Sequence, residues 1–136
     1  MKISLSLVEE PFVLEGKNSD GNTVLMDASP KIGGQNKGMR PVELLGTSIA
    51  GCMSIDMLSI LRKQRQEITL FEIEVDIDRK DQTPSTLEKV SFTIYVNPEV
   101  LLSKVEQAYE LSITKYCSVA LSLDPTITFT ANYKHK

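Results

Sequence analysis

The sequence predicts an α+β domain of antiparallel sheets with helices packed on one side. Three observations predict it. Several segments alternate apolar and polar residues with the period of two that marks a half-buried strand. One segment, residues 41–64, is apolar on nearly every side and too long for a strand. The order is strands, long helix, two strands, two helices, strand. A chain of 136 residues is one domain by length, and its 41% hydrophobic content is enough for a real core.

The first segment, residues 1–28, reads as short strands. Ile3, Leu5 and Leu7 alternate with Lys2, Ser4 and Ser6. Phe12 to Leu14 follows Pro11, and Thr23 to Met26 follows the turn-forming run Asn18-Ser19-Asp20-Gly21-Asn22. Residues 29–40 form a loop with Pro30, Gly33, Gly34 and Gly38, which has little to bury and is expected to be mobile or shaped by contacts.

The central helix starts at Pro41, which suits a first helical position. Glu43 near its start and Arg62, Lys63 and Arg65 near its end complement the helix dipole. Between Val42 and Leu61 only Glu43 and Asp56 are charged, so the helix is expected to be buried all round. Two carboxylates and several Gly, Ser and Thr in a barely sufficient length argue against a membrane span. Gly46, Thr47, Ser48, Ala50 and Gly51 are small, and a second helix is expected to cross there. One chain of this size offers too little to cover such a helix, which points to a homodimer.

Residues 68–136 hold the rest. Phe71, Ile73, Val75 and Ile77 alternate with Glu72, Glu74, Asp76 and Asp78. After the turn Asp81-Gln82-Thr83-Pro84-Ser85, Val90, Phe92, Ile94 and Val96 alternate again, so the two strands form an antiparallel hairpin. Asn97-Pro98 opens a helix to about Leu111 with Val100, Leu101, Val105 and Ala108 on one side. A further helix carries Cys117 and stops at Asp124-Pro125, and a last strand sets Ile127, Phe129, Ala131 and Tyr133 on one face. The acidic row of the first of these strands reads as a solvated face, not a metal surface.

Composition excludes several functions. A net charge of −3 argues against nucleic acid, which needs clustered Lys and Arg. No secretory h-region follows Met1-Lys2, so a cytoplasmic, reducing setting is expected and structural disulfides are not. Two cysteines and the single histidine, His135, supply too few ligands for zinc, and no metal or bound cofactor is expected.

The chemistry concentrates on those cysteines. Cys52 and Cys117 lie 65 positions apart, each in an apolar helical stretch. Brought together they are a redox pair; kept apart they are two ordinary core residues. Met53 and Met57 flank Cys52 at helical spacing, either as core or as an apolar substrate pocket. Tyr116 beside Cys117 reads as packing.

Pro-Val-Glu-Leu-Leu-Gly-Thr-Ser-Ile-Ala-Gly-Cys (residues 41–52) and Lys-Tyr-Cys-Ser-Val-Ala-Leu-Ser-Leu (residues 115–123) together resemble the OsmC/Ohr family, the osmotically inducible and organic hydroperoxide resistance proteins. The order of elements agrees, so the resemblance covers nearly the whole chain. Ser54-Ile55-Asp56 after the first cysteine and Lys-Tyr-Cys-Ser-Val-Ala around the second are closest to the less characterised OsmC-like branch. The resemblance implies an intertwined homodimer and a thiol peroxidase that reduces organic hydroperoxides. Cys52 would become a sulfenic acid, Cys117 would condense with it to a disulfide, and an external dithiol would restore both. That chemistry needs a depressed thiol pKa and Cα atoms roughly 4.4–6.8 Å apart.

The family places a Glu ten residues before the first cysteine, where this chain has Val42; Glu43 is one residue late, a rotation of roughly 100°. Its Arg comes from the N-terminal strands or the loop after them, and the only Arg before Arg62 is Arg40. Asp56, one turn after Cys52, disfavours a thiolate unless it pairs with Arg40 or a lysine as a substitute carboxylate. The alternative function is a non-peroxidase dimer of the same scaffold that binds a small apolar molecule or senses oxidants.

Overall fold

The computed structural model describes every residue, Met1–Lys136, as two compact units, Met1–Leu45 and Gly46–Lys136. The first holds a three-stranded sheet of β1 (Ile3–Glu9), β2 (Val13–Asn18) and β3 (Thr23–Met26), antiparallel in sequence order. β1 pairs Ile3 with Asn18 through Leu7 with Leu14, and a register shift follows between Leu7 and Glu9. Every residue of β1 is exposed, Ile3, Leu5 and Leu7 included. The alternation read from the sequence is present, but within this chain it buries neither face.

The loop after β3 is held by its own side chains rather than left free. The carboxylate of Asp27, 2% exposed, accepts backbone N–H bonds from Ala28 at 2.7 Å, Gln35 at 2.8 Å and Lys37 at 3.2 Å. Burial alone would raise the Asp27 pKa, but these N–H groups favour the ionised form and leave it lowered. Gly34 is required by close approach: a Cβ there would lie 1.8 Å from the Ala28 carbonyl oxygen. A bridge between Met26 and Met39 closes the loop.

The second unit contains most of helix α1 (Pro41–Lys63), then β4 (Phe71–Arg79), β5 (Leu87–Val96), α2 (Leu102–Leu111), a π-helical turn (Ser112–Tyr116), α3 (Ser118–Leu121) and β6 (Thr128–His135). β4 and β5 form the expected antiparallel hairpin. β6 departs from the all-antiparallel expectation by running parallel to β5, Val90 opposite Phe129 and Val96 opposite His135. The reason is the connection: α2, the π-turn and α3 form a crossover long enough to return the chain to the starting end of β5, which a tight turn cannot do.

One face of this sheet is dry. Val90, Phe92, Ile94 and Val96 are fully buried. Phe92 stacks on Phe129 of β6 at 6.5 Å and meets Tyr109 of α2 edge-on at 6.1 Å, within the range of favourable aromatic pairs. Glu72, Glu74, Asp76 and Asp78 point to solvent, as the alternation predicts.

Helix α1 buries one stripe only. Ile49, Met53, Met57 and Leu61, spaced by four, are fully buried, while Ile55 is 72% exposed. The expectation of burial all round therefore fails within one chain. Within this chain no helix crosses at the small residues: Gly46 lies against β4, where a Cβ would meet Ile77 Cδ1 at 2.6 Å, and a Cβ on Gly51 would meet nothing. By length and composition α1 could cross a membrane, yet its buried stripe belongs to the core of its own chain. The helix ends where Arg65 turns left-handed (φ 59°) and Gln66 N–H caps the Leu61 carbonyl at 3.0 Å.

A buried amide fixes the entry to β4. Asn97, 4% exposed, accepts from the Thr69 N–H at 2.9 Å and the Leu70 N–H at 3.2 Å, and donates to the Glu67 carbonyl at 3.0 Å and the Glu99 carboxylate at 2.7 Å. Asn97→Ala strands these partners, and we expect a loss of about 1–3 kcal/mol in urea unfolding with an unchanged slope. A loss below the error of that measurement would mean that water replaces the amide.

Candidate active site: a thiol pair on the flank of the central helix

The stripe that buries Met53 and Met57 turns Cys52 and Asp56 to the flank of α1, where both are half-buried. Cys117 reaches this flank from the other side. The π-helical turn closes when the Cys117 N–H donates to the Ser112 carbonyl at 2.8 Å. The chain then becomes extended at Cys117 (φ −70°, ψ 91°), which caps α3. Its sulfur accepts the Ala120 N–H at 3.5 Å, and its S–H has the Ile49 carbonyl oxygen at 3.9 Å and the Cys52 sulfur as acceptors.

The two thiols, 65 residues apart in sequence, are thus hydrogen-bond neighbours, both reduced. Their environments drive them apart. Cys52 is lowered below the ordinary thiol pKa, chiefly because the Val119 backbone N–H bonds its sulfur. Partial burial opposes this, the Cys117 thiol and the Ser118 hydroxyl (4.0 Å) reinforce it, and the charge of Asp56 opposes it again. Cys117 is fully buried, and burial pushes its thiol up to about 11. The shared hydrogen bond adds in the same direction, with Cys117 donating and Cys52 accepting. The pair therefore has one sulfur shifted toward the thiolate and one held as thiol.

The remaining sequence candidates fall differently. Arg40 and Glu43 lie in the first unit and pair with each other. The Arg40 backbone N–H donates to Glu43 Oε2 at 2.9 Å, and its guanidinium reaches Glu43 Oε1 at 3.2 Å. That is a helix-start cap, with the Arg40 carbonyl accepting the Leu44 N–H. Asp56 takes its hydrogen bond from the buried Ser112 hydroxyl at 3.0 Å. Met53 and Met57 are fully buried core residues, so as placed they offer no surface to a substrate.

Sequence reasoning missed Ser112, Ser118 and the Val119 N–H. For Ser118 a signal existed: it directly follows Cys117 and sets a hydroxyl beside the thiol. Ser112 gave none, since a π-turn has no composition of its own.

Fold and site together define a class: a two-unit α+β protein with a vicinal thiol pair on the flank of a long helix. The chain belongs to the OsmC-like protein family, whose pattern matches residues 34–132. It is 31% identical over 126 residues to protein YhfA of Escherichia coli strain K12, an alignment covering 92% of this chain and 91% of that protein. Among solved structures it is similar to a hypothetical protein of Aquifex aeolicus (29% identity, 99% of this chain and 96% of that one, TM-score 0.81). An organic hydroperoxide resistance protein OsmC from Legionella pneumophila shares the fold at 11% identity, covering 98% and 97% of the two chains with a TM-score of 0.68.

The opposed pKa shifts set the order of alkylation. A thiol reacts as thiolate, so reactivity rises as pH climbs through its own pKa. With iodoacetamide at pH 8 we expect Cys52 to be modified and Cys117 spared, and Asp56→Asn to move the Cys52 profile to still lower pH, because it removes an opposing charge. Peptide mapping that found Cys117 modified first would reverse the assignment of the two sulfurs.

Proposed function

We propose that the protein is a thiol-dependent peroxidase that reduces organic hydroperoxides, with Cys52 as attacking and Cys117 as resolving sulfur. The observation that carries this is the opposed setting of two neighbouring sulfurs: the Val119 N–H, helped by the Cys117 thiol, lowers Cys52, and burial, helped by the same shared hydrogen bond, raises Cys117. An attacking sulfur must be ionised at rest. A resolving sulfur is better left protonated until a sulfenic acid faces it.

The Cys52 thiolate attacks the terminal peroxide oxygen, the O–O bond breaks, and the alkoxide leaves and is protonated to an alcohol. Cys52 is then a sulfenic acid, oxidised by two electrons. Cys117 loses its proton and attacks the Cys52 sulfur, and hydroxide leaves to become water as the disulfide forms. An external dithiol exchanges twice, leaves as its own disulfide, and restores both thiols. No metal or bound cofactor enters. Membership of a family that includes organic hydroperoxide resistance proteins supports the substrate class.

One equivalent of tert-butyl hydroperoxide should lower the intact mass by two hydrogens, with the loss mapped to a Cys52–Cys117 link. Excess dithiothreitol should sustain peroxide consumption. Cys52→Ser should abolish consumption, and Cys117→Ser should stop at a sulfenic acid that dimedone traps. Two untouched thiols in the parent protein would sink the peroxidase reading and favour the same scaffold as a binding or oxidant-sensing protein.

The functional form we propose is a homodimer. Gly51 and Ile55, next to Cys52 on α1, face open space, and β1 exposes Ile3, Leu5, Leu7 and Val8. Apolar surface on this scale marks an interaction site, and an identical chain presents the matching surface. Light scattering after size exclusion should give twice the chain mass, and Ile55→Arg should shift it toward the monomer. A parent protein that is monomeric at micromolar concentration would remove the dimer.

A further inference from the structure

Ser112 is fully buried and engaged at both ends. Its hydroxyl donates to Asp56 Oδ2 at 3.0 Å, and its carbonyl accepts the Cys117 N–H at 2.8 Å. Asp56 lies one turn from Cys52 on the same face of α1. A continuous chain of two hydrogen bonds therefore runs from the helix that carries the first cysteine to the backbone of the second. The segment it holds is a π-helical turn, Ser112–Tyr116, an irregular and costly geometry that recurs at functional positions. Asp56 also stands where its charge opposes the Cys52 thiolate, so its presence needs another reason.

We propose that Ser112 is a positioning residue for the resolving step, and that the Ser112–Asp56 hydrogen bond anchors the π-turn to α1 so that Cys117 meets the oxidised sulfur of Cys52. This rests on the reading of Cys52 and Cys117 as attacking and resolving sulfurs. The hydroxyl touches neither sulfur and acts through the turn. Cutting the bond frees the turn to relax, and the cost falls on the second step, because a misplacement of about 1 Å can slow a positioned reaction by orders of magnitude.

The test separates the two steps with an oxidant that needs no peroxidase activity. With oxidised glutathione, the Cys52 thiolate attacks the glutathione disulfide and releases one glutathione thiolate, leaving a mixed disulfide. Cys117 then loses its proton, attacks the Cys52 sulfur and displaces the second glutathione. Acid quench and intact mass give both rates, and the readout is the second, the loss of the mixed disulfide, because the Asp56 charge also bears on the first through the Cys52 thiolate.

Ser112→Ala should lower this second rate about tenfold or more, with the mixed disulfide accumulating. Asp56→Ala should do the same. Asp56→Asn keeps a carbonyl acceptor for the Ser112 hydroxyl while losing the charge, and should hold the second rate at or above the parent value, since that charge also opposes ionisation of Cys117. If Asn lowers the second rate as far as Ala, the charge matters and the anchoring bond does not, and the proposal fails. A parent-like second rate in Ser112→Ala or Asp56→Ala overturns it as well, as does a parent protein that stops at the mixed disulfide. A parent that completes both glutathione steps yet ignores tert-butyl hydroperoxide fails only the peroxidase reading.

Discussion

Ile49, Met53, Met57 and Leu61 must leave water together, and that fixes how α1 is rotated about its axis. Four buried aliphatic or thioether side chains are worth roughly 6–12 kcal/mol of transfer free energy. That is comparable to the whole net stability of a domain this size, about 5–15 kcal/mol. A rotation of α1 by one residue would forfeit most of it. The azimuth of Cys52 and Asp56 is thus set by the buried stripe of the helix. The flank position that results gives Cys52 access to solvent on one side and to Cys117 on the other.

Given that geometry, the opposed pKa shifts of the two sulfurs follow from solvation and hydrogen bonding. Cys117 is capped by the Ala120 N–H and sealed from water, and burial disfavours its charged form. Its proton serves as a hydrogen bond to the neighbouring sulfur. Cys52, half-buried, receives that bond together with the Val119 N–H and the Ser118 hydroxyl, and these outweigh the adverse charge of Asp56. Arg40 and Glu43, which stand nearest to the family's activating pair in sequence, satisfy each other at the helix start.

The open surfaces follow from arithmetic of area. A helix with only Glu43 and Asp56 charged between Val42 and Leu61 has more apolar surface than one small sheet can cover, and one stripe is what the chain covers. β1 has the same imbalance, with alternating Ile3, Leu5 and Leu7 and no layer against them. A second copy is the simplest cover for both.

The sequence by itself determined the elements and their order. Period-two alternation located β4, β5 and β6, and Pro41, the apolar run and the basic end bounded α1. The acidic face of β4 and the two thiols on helical stretches were also legible, because local pattern and side-chain type carry that information. It did not determine that β6 runs parallel to β5, that α1 buries one stripe only, or that Arg40 turns to Glu43. It was silent on Ser112 and the Val119 N–H. These depend on which groups meet across long sequence separations: Cys52 with Cys117, Asp56 with Ser112, Val90 with Phe129. Such meetings are decided by how the layers pack to exclude water, and no window along the chain contains both partners.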